Sequence, residues 1–480
     1  MSSPDPAELT VLEAAAQLRA RSLSSQELTE ACQRRIETAN GGPPSFDGAP
    51  DAVNAWARLY PDEAQEQAQA ADERRANEGD EAPLLCGIPL ALKDLYAVKE
   101  LPLTASSAVL EDHVADENSV AWARLQQRGM VLLGHTHTHE FAAGGTTDQV
   151  GNPYDLDKVV GGSSGGSAAA LAARMTPAAL GTDTCGSLRI PATYCGISSI
   201  KPTHGRVPTT GVIPLAPSLD HVGPMARTIR DCAAILNALA EDGPEPTALM
   251  PPPAPLDRLP TEPTPGPKPL QGLTIAITDR PTELESNPAR GYELAHEACE
   301  RLGARVIERD APQALSFDDL TTVLLTEAWG YHRRHGGKRE LYRPAIGEFV
   351  DASRNFTHSV PYMETQAKRA AATKAWEDWF AQHEIDLVLE PTLSVGPPDR
   401  GPGYEPGHAG GAGDPLIALT VLWDMTGFPV ATLPVPEAVP SGRVPAGVSL
   451  IAPRGHEHKV TQAGVDLQTH ALGLPEWPTI

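Results

Sequence analysis

Two serine clusters set in glycine hold the residues best suited to chemistry in this chain. One is Gly161-Gly162-Ser163-Ser164-Gly165-Gly166-Ser167, and the other is Gly181-Thr182-Asp183-Thr184-Cys185-Gly186-Ser187. Glycine lets backbone N–H groups come close to a ligand and permits conformations that other residues resist. A serine in such a loop becomes a nucleophile only when a neighbour takes its proton. The identity of that neighbour decides the chemistry.

Several arrangements can be tested against the residues. Ser164 sits at the centre of a G-x-S-x-G pattern, which requires a strand before it, a helix after it, and a downstream acid and histidine. The only apolar residues directly before it are Val159 and Val160. Ser198 and Lys201 match S-x-x-K, but the S-D-N and K-T-G partners are absent, and Pro202 disfavours a helix there. A phosphate cradle would need lysine where Ser167 stands. The remaining candidate is Lys93, which closes the apolar run Leu84–Leu92. A desolvated lysine favours its neutral amine, which can accept a serine proton. Spacing alone leaves Lys93 equally readable as a strand-end lysine reaching for water. The alternating His135, His137 and His139 would share one face of a strand and could ligate zinc.

The surrounding elements read as α/β. Leu9 to Arg19 has helical spacing, and Ser24 with Glu27 forms a capping-box pattern at the start of a second helix. Residues 61–78 read as a solvated helix. The continuous apolar run 84–92 reads as a strand buried on both faces. Helices are expected near 118–128, 167–174, 229–239, 292–302 and 367–382, and strands at 130–133, 273–277, 305–307 and 386–389. Residues 243–271 are proline-dense, and 397–415 form a Gly/Pro-rich loop.

The bulk numbers exclude some functions. The 480 residues carry 38 basic and 62 acidic side chains, a net charge of −24, which argues against a phosphate-backbone partner. No run reaches membrane-spanning length and no signal-type N-terminus is evident, so a cytoplasmic setting is expected. The six cysteines lack CxxC spacing and read as reduced thiols.

Taken together, Gly87-Ile88-Pro89-Leu90-Ala91-Leu92-Lys93-Asp94, GGSSGGSAAA, GTDTCGSLRIPATYCG, KPTHGRVP and SLDHVGPMART resemble the amidase signature family. The resemblance runs through about residues 5–240 and resumes at 386–392, 426–435 and 447–453. It implies one α/β/α domain over 1–480 with a mostly parallel mixed central sheet. Its motif region would span 80–240, with a Pro-rich excursion at 243–271 and a diverged substrate-pocket part at 272–480. It implies a Ser–cis-Ser–Lys triad with Ser187 as nucleophile, Ser163 as bridge and Lys93 as base. Backbone N–H groups of Thr184, Cys185, Gly186 and Ser187 would hold the oxyanion. Asp183 and Arg189 would brace the loop, with Ser164 and Thr182 in support. No cofactor or metal is implied, because the histidine run matches a family loop without one; residues 140–147 would line the substrate pocket. The family commonly has glycine at Cys185, whose thiol is expected to be buried and tolerated, the alternative being that it narrows the pocket.

The activity implied is hydrolysis of linear carboxylic amides. A small-molecule amide and water are the expected partners, with no nucleic acid and no membrane, and a homodimer is plausible on symmetry grounds. The family also includes carbamate, hydrazide and aryl amide hydrolases, and the glutaminase component of a tRNA-dependent amidotransferase. The diverged second half argues against a partner surface shared with that component.

Overall fold

The apolar runs pair into one large sheet. The computed structural model describes residues 5–240, 243, 253–279, 283–312, 315–401, 414–438, 440 and 443–480. In chain order the strands are β1 (Trp56–Leu59), β2 (Pro89–Lys93), β3 (Val131–Thr136), β4 (Gly151–Asn152), β5 (Asp155–Val159), β6 (Ala178–Asp183) and β7 (Ser198–Lys201). They continue with β8 (His221–Ala226), β9 (Thr274–Thr278), β10 (Arg305–Arg309), β11 (Leu387–Pro391), β12 (Val430–Val435) and β13 (Ala446–Ile451). Among the described residues, 11 strands form a sheet in the order β1-β3-β2-β6-β8-β7-β12-β13-β11-β9-β10, and β4 pairs with β5 apart from it.

Every residue of β2, β3, β6, β7, β8, β11, β12 and β13 is buried. A strand buried at successive positions is covered on both faces. The cover comes from helices α1 (Val11–Arg19), α2 (Ser25–Ala39), α3 (Pro61–Glu78), α4 (Val120–Gln127), α5 (Gly165–Ala172), α6 (Arg189–Tyr194) and α7 (Ile229–Ala240). After these come α8 (Ser286–Arg301), α9 (Phe317–His332), α10 (Pro344–Ser353), α11 (Ser359–Gln382), α12 (Val421–Met425) and α13 (Glu457–Leu467). α5 packs on β2 and β6, α7 on β7 and β8, and α8 on β11 and β13. Full capping boxes start α1 (Thr10, Glu13) and α2 (Ser24, Glu27), each N-cap contributing about 1 kcal/mol.

Two sequence-based expectations change here. The sheet is mixed but not mostly parallel. The parallel pairings are β2–β3, β2–β6, β9–β10 and β9–β11. The six others are antiparallel. β8 enters between β6 and β7 from a loop without a crossover helix, and β12 and β13 are joined by a short link. Both connections favour antiparallel pairing. The second change is the run 84–92, of which only Pro89 onward is strand. Cys86 closes a turn onto Pro83, and Gly87 sits at φ 82°, so the first half of the run is a buried turn.

Residues 244–252 of the proline-dense stretch and 402–413 of the Gly/Pro-rich loop lie outside the described residues. The described part of the former lies against α7: Leu259 and Leu270 are buried in the main core, and the Asn237 side chain holds the Leu259 backbone at 2.7 and 3.1 Å.

Candidate active site

Lys93 is the last residue of β2, between β3 and β6 in the sheet. Asp94 anchors the strand end, accepting from Thr104 N, Thr104 Oγ1 and Ser106 N at 2.6–3.2 Å. The lysine is therefore turned inward and fully buried. Its Nζ meets three hydroxyls: Ser163 Oγ at 2.7 Å, Thr182 Oγ1 at 2.8 Å and Ser164 Oγ at 3.0 Å. Burial pushes its pKa down to about 7, against the pull of Asp183 and Asp220.

The hydroxyls around this amine are not equivalent. Ser164 Oγ donates to Thr182 O (3.2 Å) and accepts from Thr182 N (3.2 Å). With its hydrogen engaged, Ser164 can only accept from Lys93, which leaves Ser163 better placed to give a proton to the amine. Ser163 follows a cis Gly162–Ser163 peptide. Its carbonyl accepts from His139 N (3.0 Å) and Thr147 Oγ1 (3.2 Å). Gly162 is required by packing, since a Cβ there would lie 2.1 Å from Thr146 O. α5 begins directly afterwards, all of its residues buried.

The second serine loop leaves the end of β6. Ser164 N donates to Ser187 O at 3.3 Å, which joins the two loops. Asp183 organises the turn, accepting from Gly186 N (2.6 Å), Leu188 N (3.1 Å) and two Arg189 nitrogens (2.9 and 3.0 Å). Burial alone would raise the Asp183 carboxyl, but Arg189 holds it below its ordinary value. Arg189 also reaches Asp424 and donates to Thr420 O (2.8 Å), while Thr420 Oγ1 donates to Cys185 O (2.5 Å). Gly186 sits at φ 130°, a conformation that suits glycine. Its N–H is taken by Asp183, so the expected donor set of residues 184–187 is reduced to Thr184, Cys185 and Ser187.

Ser187 is 6% exposed and faces a cavity of about 30 Å³. The walls are Ala142–Gly145, Thr184, Cys185, Ile190, Leu215, Leu324, Phe349 and Ile417. No charged side chain is among these described residues. A larger cavity of about 280 Å³ adjoins it through Ala142, Thr184 and Leu215 and is lined by Asp220 and His221. Asp220 accepts from Thr184 Oγ1 at 2.6 Å, and burial raises its carboxyl to about 6. Cys185 lines the smaller cavity, partly buried and packed against the apolar cluster around it. Its surroundings push the thiol well above its ordinary pKa.

The amidase family model matches residues 27–461. The chain belongs to the amidase signature family. The A subunit of the glutamyl-tRNA(Gln) amidotransferase of Thioalkalivibrio sulfidiphilus is 38% identical, over 80% of this chain and 82% of its own. The protein of the same name from Desulforapulum autotrophicum is 32% identical over 98% and 99%. The solved native peptide amidase of Stenotrophomonas maltophilia superposes with a TM-score of 0.80 at 27% identity, over 98% and 99% of the two chains. This amidase signature protein is an enzyme acting on amide C–N bonds.

These relatives correct the expected partners. The sequence suggested a small-molecule amide and water, no nucleic acid and a possible homodimer. Proteins this similar are named as one component of an enzyme acting on glutamyl-tRNA(Gln). The second relative matches nearly end to end, so the second half of this amidase signature chain is not foreign to such amidotransferase components. The net charge misled because it is a whole-surface sum, whereas a contact is made by a patch.

The structure brings Lys93, Ser163, Ser164 and Thr182 together, with Asp183 and Arg189 paired beside Ser187. The histidine run does not converge. His135 pairs with Tyr60 OH (2.8 Å) and Tyr96 O (3.0 Å), and His137 with Ser45 O (3.0 Å) and Ser106 Oγ (3.2 Å). His139 Nε2 lies 4.0 Å from Asp148. Sequence reasoning missed Thr420 and Asp424, which support the Ser187 loop from 231 and 235 residues beyond Arg189 and Cys185. It also missed Leu324 and Phe349 of the cavity wall. Only the apolar spacing around them was available as a signal. Among the described residues no helix is long and apolar enough to cross a membrane.

Proposed function

We propose that the protein cleaves a carboxylic amide through an acyl-enzyme on Ser187. The observation that carries this is the buried amine of Lys93 against Ser163 at 2.7 Å, with no carboxylate among its hydrogen-bond partners in the described residues. Neutral Lys93 takes the proton of Ser163, and Ser163 takes that of Ser187. Ser187 Oγ attacks the amide carbon. The N–H groups of Thr184, Cys185 and Ser187 hold the developing oxyanion. The proton returns along the same path to the leaving amine, and water then cleaves the ester. The chain acts as one domain, a reading supported by a sheet that takes strands from both sides of the proline-dense stretch.

For the substrate, the names of the relatives favour the amide-donating component of a glutamyl-tRNA(Gln) amidotransferase over a stand-alone hydrolase. Glutamine would then be the amide, and its ammonia would pass to a partner protein. Ammonia release from glutamine, measured with and without the remaining subunits of such an amidotransferase, tests this reading. Glutamine turnover that appears only with the partners supports it. Turnover of aliphatic amides alone, without glutaminase activity in either state, overturns it.

A further inference from the structure

A second lysine is buried close to the nucleophile loop, and the relay does not use it. Lys201 ends β7 and is fully buried. Its Nζ donates to Phe428 O (2.6 Å), His221 Nε2 (3.2 Å) and Pro202 O (3.4 Å). His221 opens β8 opposite Asp183 of β6. Its Nδ1 donates to Leu219 O (2.6 Å) and faces Asp183 O (3.2 Å), which places the ring hydrogen on Nδ1 and leaves Nε2 free to accept from Lys201. The same Nδ1 lies 3.6 Å from Asp424 Oδ1, a buried oxygen without a hydrogen-bond partner among the described residues. The other oxygen of Asp424 holds Arg189, and Arg189 holds Asp183. Lys201 and His221 thus lie against Asp183 O and Asp424, and Asp424 reaches through Arg189 to the residue that fixes Gly186 N and Leu188 N.

We propose that Lys201, His221 and Asp424 form a positioning network for the nucleophile, fastening the Asp183–Arg189 brace and through it the loop that carries Ser187. Packing alone does not call for these residue types, because an apolar side chain of similar volume fills such a site without a buried charge. The network also responds to protons. Burial pushes Lys201 down to about 7, against the pull of Asp424, and raises Asp424 well above its ordinary value. The charged or titratable groups facing Lys201 are Asp183 on β6, Arg189 on α6, His221 on β8, Asp424 on α12 and Glu457 on α13, with His204 edge-on to His221 at 5.0 Å. Glu457 is already held by Arg206 at 2.9 Å. With Lys201 and Asp424 neutral, Arg189 serves Asp183. Protonation of Lys201 from solvent places a second cation near Arg189 while Asp424 stays neutral, and the repulsion loosens the hold of Arg189 on Asp183.

The inference rests on Ser187 as nucleophile and Lys93 as base. The rising limb of kcat against pH should then be steeper in the wild type than one ionisation allows, because Lys93 and Lys201 both lose a proton near 7. Lys201→Met should lower kcat about 10- to 100-fold with KM changed less than about threefold, the cost of a loop displaced by a fraction of an ångström. Its limb should fall to the slope of one proton. Asp424→Asn keeps an acceptor for Arg189 but loses the carboxyl, so it should lower kcat less than Lys201→Met does and keep the two-proton limb, because Lys201 is still present. A one-proton limb in the wild type overturns the proposal, as does a two-proton limb in Lys201→Met. If Lys201→Met does not fold, the wild-type limb decides alone. Ser187→Ala run in parallel tests the underlying reading separately, because activity surviving there removes the nucleophile and says nothing of the network.

Discussion

The two halves of the chain meet at Ser187 but contribute differently to it. Up to about residue 240, the side chains near the reacting atoms are buried, hydrogen-bonded and drawn from short contiguous motifs: Lys93 with its three hydroxyls, and Asp183 with four donors. The later half sends apolar side chains to the cavity, Leu324 from α9, Phe349 from α10 and Ile417 from the turn before α12. Chemistry demands fixed donors and acceptors at fixed distances, so its residues tolerate little change. A cavity wall needs only shape and apolarity, which many residues supply. On the proposed reading the relay residues come from the first half, while the cavity wall is shared, with Leu324, Phe349 and Ile417 as the share of the second.

That division can be broken by substitution. Ser187→Ala and Lys93→Ala should each lower kcat about 10⁴-fold or more while the fold is kept, measured by turnover and circular dichroism; retention of more than a tenth of the activity in either would move the chemistry elsewhere. Wild-type kcat should rise with pH through about 7 by at least tenfold per unit on the acid side, because the amine of Lys93 must be free to accept a proton. An acid optimum would contradict that base. Phe349→Ala should leave the pH profile unchanged and shift the preferred acyl group toward larger ones, with kcat/KM changing by about 10- to 200-fold between acyl sizes. A uniform loss across all substrates would place α10 in the reaction instead of its selectivity. Cys185→Gly should act in the same direction but by only a few-fold, since one small side chain leaves the wall. An unchanged substrate panel would make the thiol a bystander.

The same contrast decides what was legible in the sequence. Ser163, Thr182 and Asp183 stand in loops marked by glycines that close approach forces, as at Gly162, but their roles and that of Lys93 were legible only through the family resemblance. The helices were readable from their spacing and caps. The buried strands β6, β7, β8, β12 and β13 were harder, because full burial removes the alternation that signals a strand. The antiparallel centre of the sheet followed from those missing strands. Thr420 and Asp424 carried no local signal, and the spacing at Lys201 pointed to a different role. Their partners lie on other elements, and Arg189 and Thr420 are 231 residues apart. Ser198 and Lys201 stand on a strand, not on one helix turn, so their S-x-x-K spacing has no catalytic geometry.

The most direct test is to find the acyl group. Wild-type protein mixed with an activated amide or ester and quenched before turnover should gain the mass of one acyl group, on the peptide that contains Ser187, and Lys93→Ala should gain it at least about 10³-fold more slowly. An acyl group on Ser163, Ser164 or Cys185, or acylation of Ser187 at an unchanged rate without Lys93, would contradict the relay.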